Sequence, residues 1–167
     1  MKKKDRTNIR EMKTKLLVVG KTNDKNITKG IDDYVGRVKH YMPFDIEVIP
    51  ELKNTKSLTQ NNQKEMEAEQ ILKRLQPSDT VVLLDEHGKE YRSIEFARWI
   101  EKQQQTARSL VFIIGGPYGF ADSVYERSNA KLSLSKMTFS HQMIRLLFVE
   151  QIYRACTIIK GEPYHHE

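Results

Sequence analysis

A single cysteine, Cys156, leaves nothing within the chain for a disulfide to pair with, so no covalent framework holds these 167 residues together. That scarcity suits a reducing compartment, and a cytoplasmic setting is expected. Cys156 falls inside a helical pattern, where a buried structural thiol is the expected role. Long apolar runs are missing as well: none approaches the ~20 residues a bilayer-spanning helix needs. The opening MKKKDRTNIR is basic but lacks the apolar segment of a secretory leader. Phosphate-cradling glycine patterns are absent too. No G-x-x-x-x-G-K-[ST] occurs and no G-x-G-x-x-G opens a helix, which disfavours nucleotide-triphosphate and nicotinamide chemistry. Nor is there a G-x-S-x-G elbow. The histidines are scattered apart from His165 and His166, and adjacent histidines lack the i, i+4 spacing of a helical metal face, so no metal is expected.

Positive charge is present but unevenly placed. The net charge is +6, and residues 1–11 carry five basic residues (Lys2, Lys3, Lys4, Arg6, Arg10) against Asp5 and Glu11, which is +3. Half the excess therefore lies in an N-terminal extension expected to be disordered. Residues 12–167, read as one domain, keep the other +3. That is compatible with an RNA partner and does not establish one.

Strand-like and helix-like segments alternate along the chain. TKLLVV (14–19), FDIEVI (44–49), TVVLLD (80–85), LVFII (110–114) and LSLS (132–135) read as strands. Ile27, Ile31, Tyr34, Val38 and Tyr41 make the stripe of an amphipathic helix. Further helices are expected over about 63–75, from a cap at Ser93, from about Asp122, and over about 142–159 with Ser140 as N-cap and Gly161 as stop. Residues 51–62 read as a surface loop. This is an α/β pattern: a mostly parallel sheet of about five strands, helices on both faces. Ligands in such sheets bind beyond the carboxyl ends of the strands.

Three strand ends carry unusual loops: DEHGKEY, GGPYGF and KMTFSHQ. In the second, the glycines allow close approach of a ligand to the main chain and Pro117 stiffens the turn. Backbone groups and apolar side chains without a lysine clamp suit a nucleoside better than a polyphosphate. A bulky side chain at Gly115 is expected to block such a ligand.

Four ordered blocks, LLDEHGKEY, FIIGGPYGF, LSLSKMTFSHQMIRLLFVEQIYRA and the closing GEPYHHE, resemble the RlmH family of SPOUT-class methyltransferases, which modify pseudouridine in 23S rRNA. The resemblance runs from about Met12 to the end. It departs at Ser140, where family members commonly carry proline. The resemblance implies a C-terminal trefoil knot and S-adenosylmethionine as cofactor. Carried over by motif, the cofactor contacts are Leu84, Gly115 and the run Leu134, Ser135, Lys136, Met137, Thr138 and Phe139. It also implies a homodimer in which the tail PYHHE, native on this reading, completes a site beside the partner's cofactor. No membrane and no metal are implied. The substrate that the resemblance implies is 23S rRNA within the large subunit or whole ribosome.

N3 of pseudouridine is an imide nitrogen, a poor nucleophile until deprotonated. His165 is the candidate base. Tyr164 is the candidate to hold or stack on the acceptor base; Arg154 is a candidate to stabilise charge on its carbonyl oxygens, with a surface salt bridge or phosphate contact as the other reading. The stripe Ile144, Leu147, Phe148, Ile152 and Ala155 suits either a dimer surface or packing within one subunit. The alternatives are a SPOUT enzyme acting on another RNA and a non-catalytic ribosome assembly factor.

Overall fold

The computed structural model describes residues 11–167, so the expected extension falls, but for Glu11, outside the described residues. Five strands form one fully parallel sheet in the order β2-β1-β4-β3-β5. They are β1 (Lys13–Val19), β2 (Phe44–Ile49), β3 (Asp79–Glu90), β4 (Ser109–Ile114) and β5 (Ala130–Ser133). The helices are α1 (Lys25–Val38), α2 (Gln60–Leu72), α3 (Ser93–Thr106), α4 (Asp122–Arg127) and α5 (Met143–Lys160).

Near-continuous apolar runs make the central strands because both sheet faces are covered. Side chains alternate across a strand, and the core divides accordingly. Leu16, Val18, Val82, Leu110 and Phe112 point to the face covered by α1, α3 and α5. Leu17, Val19, Val81, Leu83, Val111 and Ile113 point to the opposite face, under α2 and α4. Cys156 is buried among the first group, and burial pushes its thiol up to about 12.

Several expected boundaries move. α2 begins at Gln60, because the Thr59 side chain accepts the Asn62 N–H at 3.1 Å, and a 3₁₀ turn, Thr55–Ser57, interrupts the expected loop. α3 is capped from the other direction. Ser93 is its first residue, and the Glu95 carboxylate accepts the Arg92 N–H at 2.8 Å. β5 runs two residues earlier than LSLS, leaving Leu134 and Ser135 in the following loop. Ser140 does accept the Met143 N–H, at 3.1 Å, although Gln142 occupies the cap position of α5. The α5 stripe packs largely within the chain. Phe148, Ile152 and Ala155 are buried, with the Phe148 ring 4.7 Å from Phe112.

β3 departs most from expectation. Leu84 pairs with Leu132, then Asp85–Gly88 bulge out, and Lys89 pairs with Leu132 again. A Cβ at Gly88 would lie 2.6 Å from the Leu132 carbonyl carbon, so only glycine lets the bulge press on the β5 backbone. The strand end is thereby bound to β5, and the side chains of Asp85, Glu86 and His87 are presented beyond the sheet.

Candidate active site

The β3 bulge and the loops after β4 and β5 meet at the carboxyl edge of the sheet. They enclose an open groove of about 850 Å³, within the size of small-ligand sites. Leu84, Asp85, Gly115, Tyr125, Phe139 and Ile144 contribute to its walls. A smaller hollow of about 140 Å³ adjoins it, lined by Leu84, Leu134, Ser135, Met137, Thr138 and Phe139. A third, of about 220 Å³, contains Leu134, Phe139, Leu147 and Gln151. Phe139 borders all three. Seven of the eight residues expected to contact a cofactor are thus brought together, while Lys136 is exposed and lines none of these hollows.

The loop after β5 leaves main-chain groups available. The Ser135 hydroxyl accepts the Met137 N–H at 3.0 Å. Among the described residues, the N–H groups of Lys136, Thr138 and Phe139 donate to no protein acceptor. Unmet main-chain donors beside apolar Leu84 and Leu134 fit a flat heterocycle that needs edge hydrogen bonds and apolar faces. In the β4 loop, the Gly119 N–H closes a turn onto the Gly116 carbonyl at 3.2 Å, with Pro117 at its second position. A Cβ on Gly115 would point at the Phe120 ring, 2.9 Å away. A larger residue there would act on the groove through Phe120 and not by entering it directly.

One acidic pair in the groove has no sequence signal, since its members lie 40 residues apart. Tyr125 donates its hydroxyl to Asp85, whose other oxygen accepts the His87 N–H at 2.8 Å. Burial would raise the Asp85 carboxyl. The Tyr125 and His87 bonds, with Lys131 nearby, outweigh it and hold the group below its usual range. Burial and the same bond push Tyr125 up to about 12. Behind the β4 loop, Glu67 is 6% exposed, and burial raises its carboxyl.

The tail forms a second cluster. Glu150 and Arg154 lie one turn apart on α5, and the Arg154 guanidinium donates to Glu150 Oε1 at 2.5 Å. The Tyr164 hydroxyl donates to the same oxygen at 3.0 Å, with Arg154 5.0 Å over its ring. Burial, then hydrogen bonding to Tyr34 and Glu150, raises the Tyr164 hydroxyl. Arg154 Nη1 stands 3.0 Å from His165 Nδ1. A guanidinium only donates, so Nδ1 accepts, and the hydrogen of the neutral imidazole sits on Nε2. That Nε2 is buried and finds no partner among the described residues.

Arg154, Tyr164 and His165 are therefore joined, with Glu150 as the member sequence reading missed. The Glu150-Arg154 spacing of four was the available signal. They do not line the groove; their link toward the strand-end loops is Gln151, which lines the third hollow and donates to Glu150 Oε2 at 3.0 Å. Ile144 sits in the groove, and ten residues of helix at 1.5 Å each put Arg154 about 15 Å further along α5. Another missed residue, Arg145, is buried and donates to the Val19 and Gly20 carbonyls at 2.8 Å, tying the start of α5 to the end of β1. The described residues contain no group of three or more His, Cys, Asp or Glu that could hold a metal ion. No described helix is long and apolar enough to cross a membrane.

Residues 12–165 match the family model described as "Predicted SPOUT methyltransferase". Three curated relatives, each named "Ribosomal RNA large subunit methyltransferase H", align over 157 residues, 93% of this chain and 100% of each relative. They come from Bacteroides fragilis (65% identical), Phocaeicola vulgatus (64%) and Flavobacterium psychrophilum (50%). A crystal structure described as a "Probable Methyltransferase from Bordetella pertussis Tohama I" superposes with a TM-score of 0.51 at 10% identity. It covers 87% of this chain and 95% of that one, a likeness of fold.

Proposed function

Because this chain belongs to the SPOUT methyltransferase family, we propose that it transfers a methyl group from S-adenosylmethionine to N3 of a pseudouridine in 23S rRNA. The acceptor is taken within the assembled large subunit or ribosome, in the cytoplasm. The observation that carries this reading is the 65% identity over the whole length of a relative named for large-subunit rRNA methylation. The groove chemistry supports the donor. Leu84 and Leu134 offer apolar faces, the 134–139 loop offers unmet N–H groups, and no lysine is among the residues lining the hollow between them. When bound, the donor supplies an electrophilic sulfonium methyl.

Everything else falls to the protein. The acceptor nitrogen must lose a proton and meet the methyl in line, and good positioning alone is worth up to ~7–11 kcal/mol. His165 takes the proton in this reading. Its Nδ1 lone pair is held by Arg154 at rest, so the base role requires the guanidinium to turn away. Turned onto the acceptor's carbonyl oxygen, Arg154 meets the negative charge that deprotonation leaves there. Tyr164 holds the acceptor base, and Glu150 keeps Tyr164 and Arg154 in register. The span of about 15 Å along α5 separates this cluster from its own groove. That separation supports a homodimer in which each tail serves the partner's cofactor.

Transfer of labelled methyl from S-adenosylmethionine to ribosomes lacking the modification tests the reading. Label mapped to N3 of one 23S pseudouridine is the expected result. Donor binding without any label on 23S rRNA would discard the substrate.

A further inference from the structure

Resting on that reading, we propose that Tyr41, just past the end of α1, is a positioning residue for methyl transfer: its hydroxyl, bonded to Glu162, fixes the path of the tail that carries Tyr164 and His165. Seven residues follow α5, and a chain end this short frays unless tied down. Its departure from the helix is defined. Gly161 takes φ 70°, its N–H donates to Ile158 at 3.1 Å, and the Glu162 N–H donates to Thr157 at 2.9 Å. This is the Schellman arrangement that stops a helix and redirects the chain.

Beyond that turn, the side-chain anchors are few. Tyr164 binds Glu150, but that bond lies inside the catalytic cluster. The Arg92–Glu167 pair, 3.4 Å apart, joins two exposed side chains, where ion pairs contribute little. Outside the cluster, Tyr164 bonds to Tyr34 and packs on Tyr153, and the segment before it is held by the hydrogen bond from the Tyr41 hydroxyl to Glu162, which spans 121 residues of sequence.

Tyr41 is itself firmly placed. Its N–H donates to Val38 at 2.9 Å, and its ring stands 6.2 Å from Tyr153. Tyr153 is also the ring against which Tyr164 packs, at 4.6 Å, and it contacts Tyr34 at 5.8 Å under the Arg37 guanidinium. Tyr41 and Tyr164 thus share one aromatic support, and the Glu162 bond sets their spacing. The bond to Glu162, more than burial, pushes the Tyr41 hydroxyl up to about 12. Tyr41 touches neither His165 nor the groove, so it acts through the tail alone.

Tyr41→Phe removes only the hydroxyl. A misplacement on the order of 1 Å costs up to ~100-fold in rate, and we expect kcat on modification-free ribosomes to fall at least ~10-fold. Donor affinity by calorimetry and ribosome KM should stay within about twofold, since neither surface is altered. Glu162→Ala should match that loss, and the double variant should lose no more than either single one. Hydrogen exchange at the Tyr164 and His165 amides should quicken in Tyr41→Phe while α5 stays protected. Wild-type kcat with unchanged tail exchange in Tyr41→Phe, or losses that multiply in the double variant, would overturn the proposal. Quickened tail exchange in a protein that puts no label on 23S rRNA would keep the anchor and remove the proposed substrate instead.

Discussion

Replacing Gly88 by alanine adds one methyl group to the protein, and the bulge in β3 makes it costly. The backbone angle at Gly88 is one that alanine adopts, so the obstacle is space alone. The new Cβ would stand 2.6 Å from the carbonyl carbon and 2.7 Å from the nitrogen of Leu132, and 2.8 Å from the carbonyl carbon of Lys131. Ordinary contact begins at 3.4 Å, so the bulge must retreat by about 0.8 Å (3.4 − 2.6) from backbone atoms that have no rotamer to change. Overpacking of this kind costs ~1–3 kcal/mol. The pairings of Lys89 with Leu132 and of Glu90 with Ser133 are the ones strained, at roughly 1 kcal/mol per hydrogen bond lost. Against this, alanine restricts the unfolded chain, returning ~0.4–1 kcal/mol. The balance is a loss of about 2–4 kcal/mol, which at ~2–4 °C per kcal/mol lowers Tm by roughly 5–15 °C. Because Leu84 and Leu134 flank the strained pairings, affinity for S-adenosylmethionine should fall with it. Scanning calorimetry and donor titration read both effects. Gly36→Ala is the control: it lies within α1 with nothing within 4 Å of the added methyl, and it should stabilise by ~0.5–1 kcal/mol. A Gly88→Ala protein as stable as wild type with unchanged affinity would refute the close approach on which this reasoning stands.

Three other perturbations follow from the site. His165→Ala should lower kcat by ~10²–10⁴-fold while donor Kd stays near wild type, because His165 borders none of the groove hollows; equal loss of donor affinity would show the tail to be a pocket wall. Tyr125→Phe should cost roughly 1–2 kcal/mol at neutral pH by removing a bond to the Asp85 carboxylate. The folded state depresses the Asp85 pKa, so its contribution is present above 3.8 and lost as pH falls through the folded value. Urea midpoints of the two proteins should therefore converge in acid. Glu67 has the opposite sign. Its folded pKa is raised by burial, so the penalty is absent below 4.5 and grows as pH rises through the folded value. Glu67→Gln should gain stability at neutral pH and lose that advantage in acid, which thermal melts across that range will show.

The α/β architecture was legible because its signals are local. Short β-branched runs such as LVFII and TVVLLD read as strands buried on both faces, and Gly161 and the α1 stripe mark helix ends and faces by residue type alone. The strand-end loops stood out for the same reason, and the structure brings Leu84, Gly115 and most of residues 134–139 around one groove. What sequence left open depends on side chains that meet across long separations. Tyr125 and Asp85, Arg145 and Val19, and Tyr41 and Glu162 carry no spacing that links them. Nor does composition tell that Gly88 is pressed on the β5 backbone and Gly36 faces open space. The α5 stripe suited a dimer surface as well as a core until Phe148 proved to pack on Phe112. Periodicity and residue type thus set the elements and the edge where ligands bind. Only the folded chain decided which donor meets which acceptor, because that choice is made by distances sequence spacing does not encode.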